Sequence, residues 1–200
     1  MSIFGFGKKM TSKFFEKTNN NSPIILTFAV ISFIAVIADL ITMGLVNRTF
    51  STPSGLYIVS PLFWINLFSH IFCHSGFDHY WGNVAFILLI GPIIEEKFGF
   101  LRLLIMILIT AATTALFSAM FFNSAILGAS GIVFMMIIIG SITNKQDGKI
   151  PRTFVIIFAI YMTKEIWSAL GNDNISQFAH LMGGACGAVF GFLVKPKGKN

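Results

Sequence analysis

Residues 23–46 carry no charge except Asp39, and residues 101–122 none except Arg102. Runs of about 20 apolar residues match the roughly 30 Å hydrocarbon core of a bilayer when wound as helices. They fix the solvent before they fix the fold. In lipid every backbone polar group must be satisfied internally, so spanning segments of this length are helices. Further apolar runs occupy residues 153–170 and 177–194, and two shorter ones, 79–94 and 130–142, follow polar or glycine-flanked starts. The expected fold is an all-α polytopic membrane protein with six spans. One domain over residues 23–194 would lie between a basic tail at 1–22 and a second at 195–200. Composition agrees, with 55% hydrophobic and 11% charged residues, too few polar groups to cover a water-facing surface. Lys8, Lys9, Lys13 and Lys17 precede the first run, which lacks a small-residue cleavage site and is long enough to span. It reads as a retained helix, not a signal peptide.

Charge placement tests the span count. With the N-terminus inside, twelve of the fourteen Lys and Arg fall on the cytoplasmic side: four in the first tail, Lys97 and Arg102, then Lys145, Lys149 and Arg152, then Lys195, Lys197 and Lys199. Arg48 stands in an outer loop and Lys164 within the fifth span. Five or seven spans would destroy this positive-inside asymmetry. The net charge of +6 thus reports on membrane orientation and anionic lipid, not on nucleic acid. Cys73 and Cys186 lie in separate apolar regions without redox or zinc spacing, and read as small hydrophobes. The connection over residues 47–76 is too apolar, with Leu62, Phe63, Trp64, Leu67 and Phe68, to float free. It is expected to lie in the outer interface.

Ionisable groups inside a membrane point to function, and their depths can be estimated. From Ser130 to Ile142 a helix advances roughly 18 Å, well short of the hydrocarbon core. The fourth helix must therefore begin below the outer surface. Backbone descending to it through residues 123–129 is tolerated only in protein or beside water, which places Ser130 at the floor of a wet cavity. Measured from their cytoplasmic ends, Asn83, His79 and His180 stand roughly 18, 24 and 21 Å up. All four residues come out at similar depth. His79 and Asn83 share a helix face at i,i+4. Gly183, Gly187 and Gly191 repeat at intervals of four, the pattern that lets membrane helices touch, and the first two share the face of His180. Ser130 lies between Gly128 and Gly131, beyond one intervening alanine.

A serine hydroxyl needs a neighbouring base, and imidazole, with a pKa near neutrality, is the usual choice. Acyl transfer also needs donors aimed at the developing oxyanion. The Asn83 amide, the His79 ring and the backbone N–H of Ser130 at a helix N-terminus can supply them. The set suits peptide-bond hydrolysis by a Ser130/His180 dyad, with no acidic third member evident.

Phe68-Ser-His-Ile-Phe-Cys-His74, His79-Tyr-Trp-Gly-Asn83, Glu95-Glu-Lys-Phe-Gly99, Gly128-Ala-Ser-Gly131 and Ala179-His180-Leu-Met-Gly183 together resemble the rhomboid family of intramembrane serine proteases, in its minimal six-helix bacterial form. A lone GxSG would be weak; these motifs in order and at the family's spacings are specific. The resemblance implies a rhomboid-like bundle with a short central fourth helix and a membrane-embedded first outer loop. It implies Ser130 as nucleophile, His180 as general base, and His79 with Asn83 in the oxyanion hole. Gly128, Gly131, Phe134 and Gly183 would support the site, Phe134 by stacking on the catalytic histidine where some relatives have Tyr. It also implies cleavage of single-span membrane proteins, entering past the fifth helix, in a bacterial inner membrane, with no metal or other cofactor. Many relatives carry a Trp-Arg pair where this chain has Ile65 and Asn66, which bears on how the first loop is anchored.

Duller roles compete at each position. A membrane serine is commonly a packing residue. His70 and His74, at i,i+4, could hold a metal on a helix, but with no third ligand evident they read as structural hydrogen-bonding groups in the first loop. Glu95, beside Glu96 at the cytoplasmic end of the second span, reads as a structural acceptor. Asp39 and the Lys164–Glu165 pair are expected near the outer interface; a small transporter using Asp39 and Lys164 is the remote alternative. A noncatalytic rhomboid-like protein that escorts membrane helices is the nearer one, although such proteins usually lose the Ser or the His.

Overall fold

A computed structural model describes residues 22–122, 125–143 and 174–198, with isolated positions between 152 and 163. The first tail, the expected fifth span at 153–170 and its Lys164–Glu165 pair, and the loop with Lys145 and Lys149 lie outside the described residues. Among the described residues all regular structure is helical. Three of the described helices are long and apolar enough to cross a membrane: α1 (Pro23–Ile41), α4 (Phe77–Phe98) and α5 (Phe100–Phe121). Between α1 and α4 lie α2 (Leu45–Phe50), α3 (Pro61–Ser69) and a 3-10 turn (His70–Phe72). The apolar helices α6 (Ser130–Thr143) and α7 (Asn174–Leu193) complete the described bundle.

The first span ends sooner than its apolar run. Thr42 N–H closes on the Ala38 carbonyl at 2.9 Å, and Met43 (φ 52°) and Gly44 (φ 86°) turn left-handed, which no α-helix continues through. The chain then restarts as α2. At its other end α1 begins with Pro23, whose missing N–H costs nothing in a first turn. The next two N–H groups, of Ile24 and Ile25, donate to the buried Glu95 carboxylate of α4 at 3.1 and 3.2 Å. A negative group at a helix N-terminus also meets the favourable end of the helix dipole. Higher up, Gly91 of α4 lets Ile25 lie where a Cβ would be only 2.4 Å from its Cδ1.

Helix α6 is the core. Ser130 through Ile137, Ile139 and Gly140 are all buried, so it shows no polar face, as a helix enclosed by others must. Its 14 residues rise roughly 21 Å. It packs against α4, α5 and, most extensively, α7. The last contact is backbone on backbone. A Cβ on Gly183 would stand 2.0 Å from the Gly131 carbonyl oxygen, one on Gly187 2.6 Å from that of Met135, and one on Gly191 2.9 Å from Ile142 Cδ1. The glycine interval of four thus becomes a seam that runs along α6 from Gly131 to Ile142.

One end of the bundle is tied by its basic residues. Lys97 Nζ donates to the Thr143 carbonyl, Arg102 Nη1 to that of Lys195 at 2.7 Å, and Lys197 N–H to that of Lys97 at 2.8 Å. These are late-turn carbonyls and neighbours of helix ends, where cations are favoured.

Candidate active site

Ser130 opens α6. Residues 125–127 before it have no regular structure, yet the backbone of Ile126 and the N–H of Gly128 are paired. Ile126 N–H donates to Thr52 Oγ1 at 2.6 Å, Thr52 N–H returns to the Ile126 carbonyl at 2.9 Å, and Gly128 N–H donates to the His70 carbonyl at 3.0 Å. Irregular backbone inside a bundle requires such partners, and the connection between α1 and α4 supplies them. Gly128 (φ 117°) then swings the chain into the helix. That conformation disfavours any side chain, and a Cβ here would also stand 2.8 Å from both Cε1 and Nε2 of His79 and 3.7 Å from Asn83 Nδ2. The glycine before Ser130 is therefore where α4 brings its polar pair against the loop.

From the other side α7 delivers His180. Its backbone passes Gly131 closely: a Cβ on Gly131 would be 3.2 Å from the Ala179 carbonyl, and Gly183 presses on Gly131 itself. The His180 ring stacks on Phe134, with centroids 4.7 Å apart and planes 18° from parallel. Phe134 lies one turn after Ser130 on α6, so this stack seats the imidazole beside the first turn of that helix. Ser130 and His180 are each 7% exposed. Both side chains are thus largely enclosed, because glycine contact and ring stacking leave little gap between α6 and α7.

Asn83 is buried on α4 and donates through Nδ2 to the His79 carbonyl at 3.2 Å. His79 is half-buried and its Nδ1 faces Ser75, at 3.1 Å from Oγ and 3.4 Å from the backbone nitrogen. Its ring also meets that of His74 edge-on at 5.1 Å. Ser75 was not legible in the sequence as a site residue; a serine four places before a histidine is too common a pair to stand out.

The remaining polar residues of the first loop are ties. His70 Nδ1 donates to the Asn66 carbonyl and His74 Nδ1 to that of Phe72, each at 3.1 Å. The two histidines do not share an α-helix: His70 begins the 3-10 turn and His74 follows it. Among the described residues no three His, Cys, Asp or Glu side chains gather as a metal cluster. Asn66 is buried and donates to the Thr49 carbonyl at 2.9 Å while its Oδ1 accepts from Ser69 at 3.2 Å. Trp64 is more than half exposed and donates to the Ile58 carbonyl at 3.0 Å. Asp39 also proves to be a loop anchor. Its two oxygens accept from the backbone and side-chain N–H groups of Asn47, both at 2.7 Å, and Asn47 Nδ2 reaches on to the His74 carbonyl at 2.9 Å.

Comparison with known proteins adds an independent line. A family model described as Rhomboid domain matches residues 61–197. RHOMBOID-like protein 1 of Arabidopsis thaliana is 30% identical over 141 residues, covering 66% of this chain and 35% of that protein. Rhomboid-related protein 1 of Caenorhabditis elegans is 26% identical over 158 residues, 72% of this chain and 44% of the relative. Rhomboid protease GlpG of Haemophilus influenzae is 24% identical over 135 residues, 66% and 70% respectively. The chain thus spans about a third of the plant relative and under half of the worm one.

Proposed function

Because the chain belongs to the rhomboid family and carries helices apolar enough to make it an integral membrane protein, we propose that it is an intramembrane serine endopeptidase. Its substrates are membrane proteins, cut in or beside a single transmembrane segment, and its fold is the six-span bundle with both termini in the cytoplasm of a bacterial cell. Residues 23–194 form the protease domain between the two basic tails. The reading rests above all on one observation: α7 touches α6 at Gly131 and stacks His180 on Phe134, one turn from Ser130.

In this reading His180 takes the proton of Ser130 Oγ as that oxygen attacks the scissile carbonyl carbon. The carbonyl π pair moves onto oxygen, and the oxyanion is met by Asn83, His79 and the Ser130 N–H. Donors of this kind are each worth on the order of 10²–10³ in rate. Collapse breaks the C–N bond and His180 hands its proton to the leaving amine. Water then repeats the cycle on the acyl-Ser130, giving up a proton to His180 and releasing the carboxylate. Stacking on Phe134 keeps the imidazole in one plane throughout.

The test is covalent labelling by a fluorophosphonate in detergent micelles. Label should reside on Ser130 and vanish in Ser130→Ala and His180→Ala. Cleavage of a membrane substrate that persists in Ser130→Ala would sink the proposed dyad, whereas absence of both label and cleavage in wild type would favour a noncatalytic, helix-binding role.

A further inference from the structure

We infer that Ser75 is a positioning residue that fixes the tautomer of His79, so that the ring presents an N–H to the oxyanion. The inference rests on the proposed proteolytic role of Ser130 and on the geometry of one turn. Gly76 caps α4 without any side-chain hydrogen bond, and the neighbouring Ser75 hydroxyl turns to His79 Nδ1 at 3.1 Å. The Ser75 backbone N–H is directed at the same nitrogen at 3.4 Å. A hydroxyl can donate or accept, but a backbone N–H can only donate. Nδ1 must therefore show it a lone pair, and the neutral ring then carries its proton on Nε2. That edge is the one facing the loop before Ser130, since a Cβ on Gly128 would stand 2.8 Å from His79 Nε2. The opposite tautomer would aim a lone pair at a developing negative charge.

Ser75 is itself held in register. Asn47 Nδ2 donates to the carbonyl of His74 at 2.9 Å, and Asp39 grips both N–H groups of Asn47 at 2.7 Å. The turn that carries Ser75 is thus pinned to the end of α1. This gives Asp39 a purpose that its position near the outer interface does not by itself explain. It anchors the residue that orders His79.

The experiment pairs kinetics with spectroscopy on the full chain in detergent. A fluorescently tagged single-span peptide with small side chains in its outer third serves as substrate for wild type, Ser75→Ala and Ser75→Thr. Loss of one neutral hydrogen bond predicts a fall in kcat of about three- to tenfold in Ser75→Ala, with KM unchanged and recovery in Ser75→Thr. In protein labelled with ¹⁵N-histidine, the His79 signals, identified by their loss in His79→Gln, should show protonated Nε2 in wild type and a smaller excess of it in Ser75→Ala, where the backbone N–H alone remains. An unchanged kcat, a change confined to KM, or a wild-type spectrum with protonated Nδ1 would each overturn the assignment. Failure of the proteolytic reading looks different: Ser130→Ala cleaves as well as wild type, or wild type does not cleave at all. The nitrogen spectrum then still decides the tautomer.

Discussion

Replacing Gly183 with alanine tests the contact on which the site depends. The added Cβ would lie 2.0 Å from the Gly131 carbonyl oxygen, 2.7 Å from its carbon and 2.8 Å from its Cα. Those atoms are backbone and cannot rotate aside. Since a relaxed carbon–oxygen contact is about 3.3 Å or more, α6 and α7 must part by about 1 Å at this level. Overpacking of this kind costs about 1–3 kcal/mol, offset in part by the roughly 1 kcal/mol that alanine gains over glycine within a helix. Thermal unfolding in detergent should therefore move little. Function should move far more, because Gly183 is one turn from His180 and Gly131 adjoins Ser130. A misplacement of about 1 Å between reacting groups can cost on the order of a hundredfold in rate. The assay is the fluorophosphonate labelling rate of Gly183→Ala beside Gly184→Ala, whose Cβ would meet nothing nearer than Ile138 Cγ1 at 3.9 Å. Labelling of Gly183→Ala within about twofold of wild type, or equal damage from Gly184→Ala, would refute the reasoning.

Other perturbations separate chemistry from architecture. Phe134→Leu removes a stacked ring worth about 0.5–1.5 kcal/mol beyond its buried area and should slow labelling of Ser130 about tenfold, whereas Phe134→Tyr, keeping the ring, should stay near wild type. Gly128→Ala meets both an unfavourable φ and the His79 ring; turnover of a single-span peptide should fall on the order of a hundredfold, as for loss of an oxyanion donor. Glu95→Ala leaves the N–H groups of Ile24 and Ile25 without their carboxylate, at about 1–3 kcal/mol for each. Its melting temperature should drop clearly while labelling of Ser130 well below that temperature persists.

Much of the site could be read from the chain because helix rise converts residue number into depth. Ser130, His180, His79 and Asn83 needed only that ruler and the motifs around them, and the glycines at 183, 187 and 191 announced a close seam by their interval alone. The limits of the same ruler are visible at α1. Apolar composition extends to Val46, but Met43 and Gly44 turn left-handed and end the helix at Ile41, a local backbone event that hydropathy does not register. Depth likewise put Ser130 at the floor of a cavity, but how closely α6 and α7 approach beside it is set by packing that depth does not measure.

The sequence by itself determined the solvent, the helical class and the chemical types available to a candidate site, since these follow from apolar length, period and the polar residues that interrupt them. Tertiary structure decided which glycine meets which backbone, that Phe134 lies on His180, and that Glu95 caps a helix 70 residues away in sequence. It also decided that Asp39, read alone as an oddly placed carboxylate, holds the turn that carries Ser75. Such pairings join side chains from separate helices. No spacing along one segment encodes them, because they exist only once packing has fixed the distance between segments.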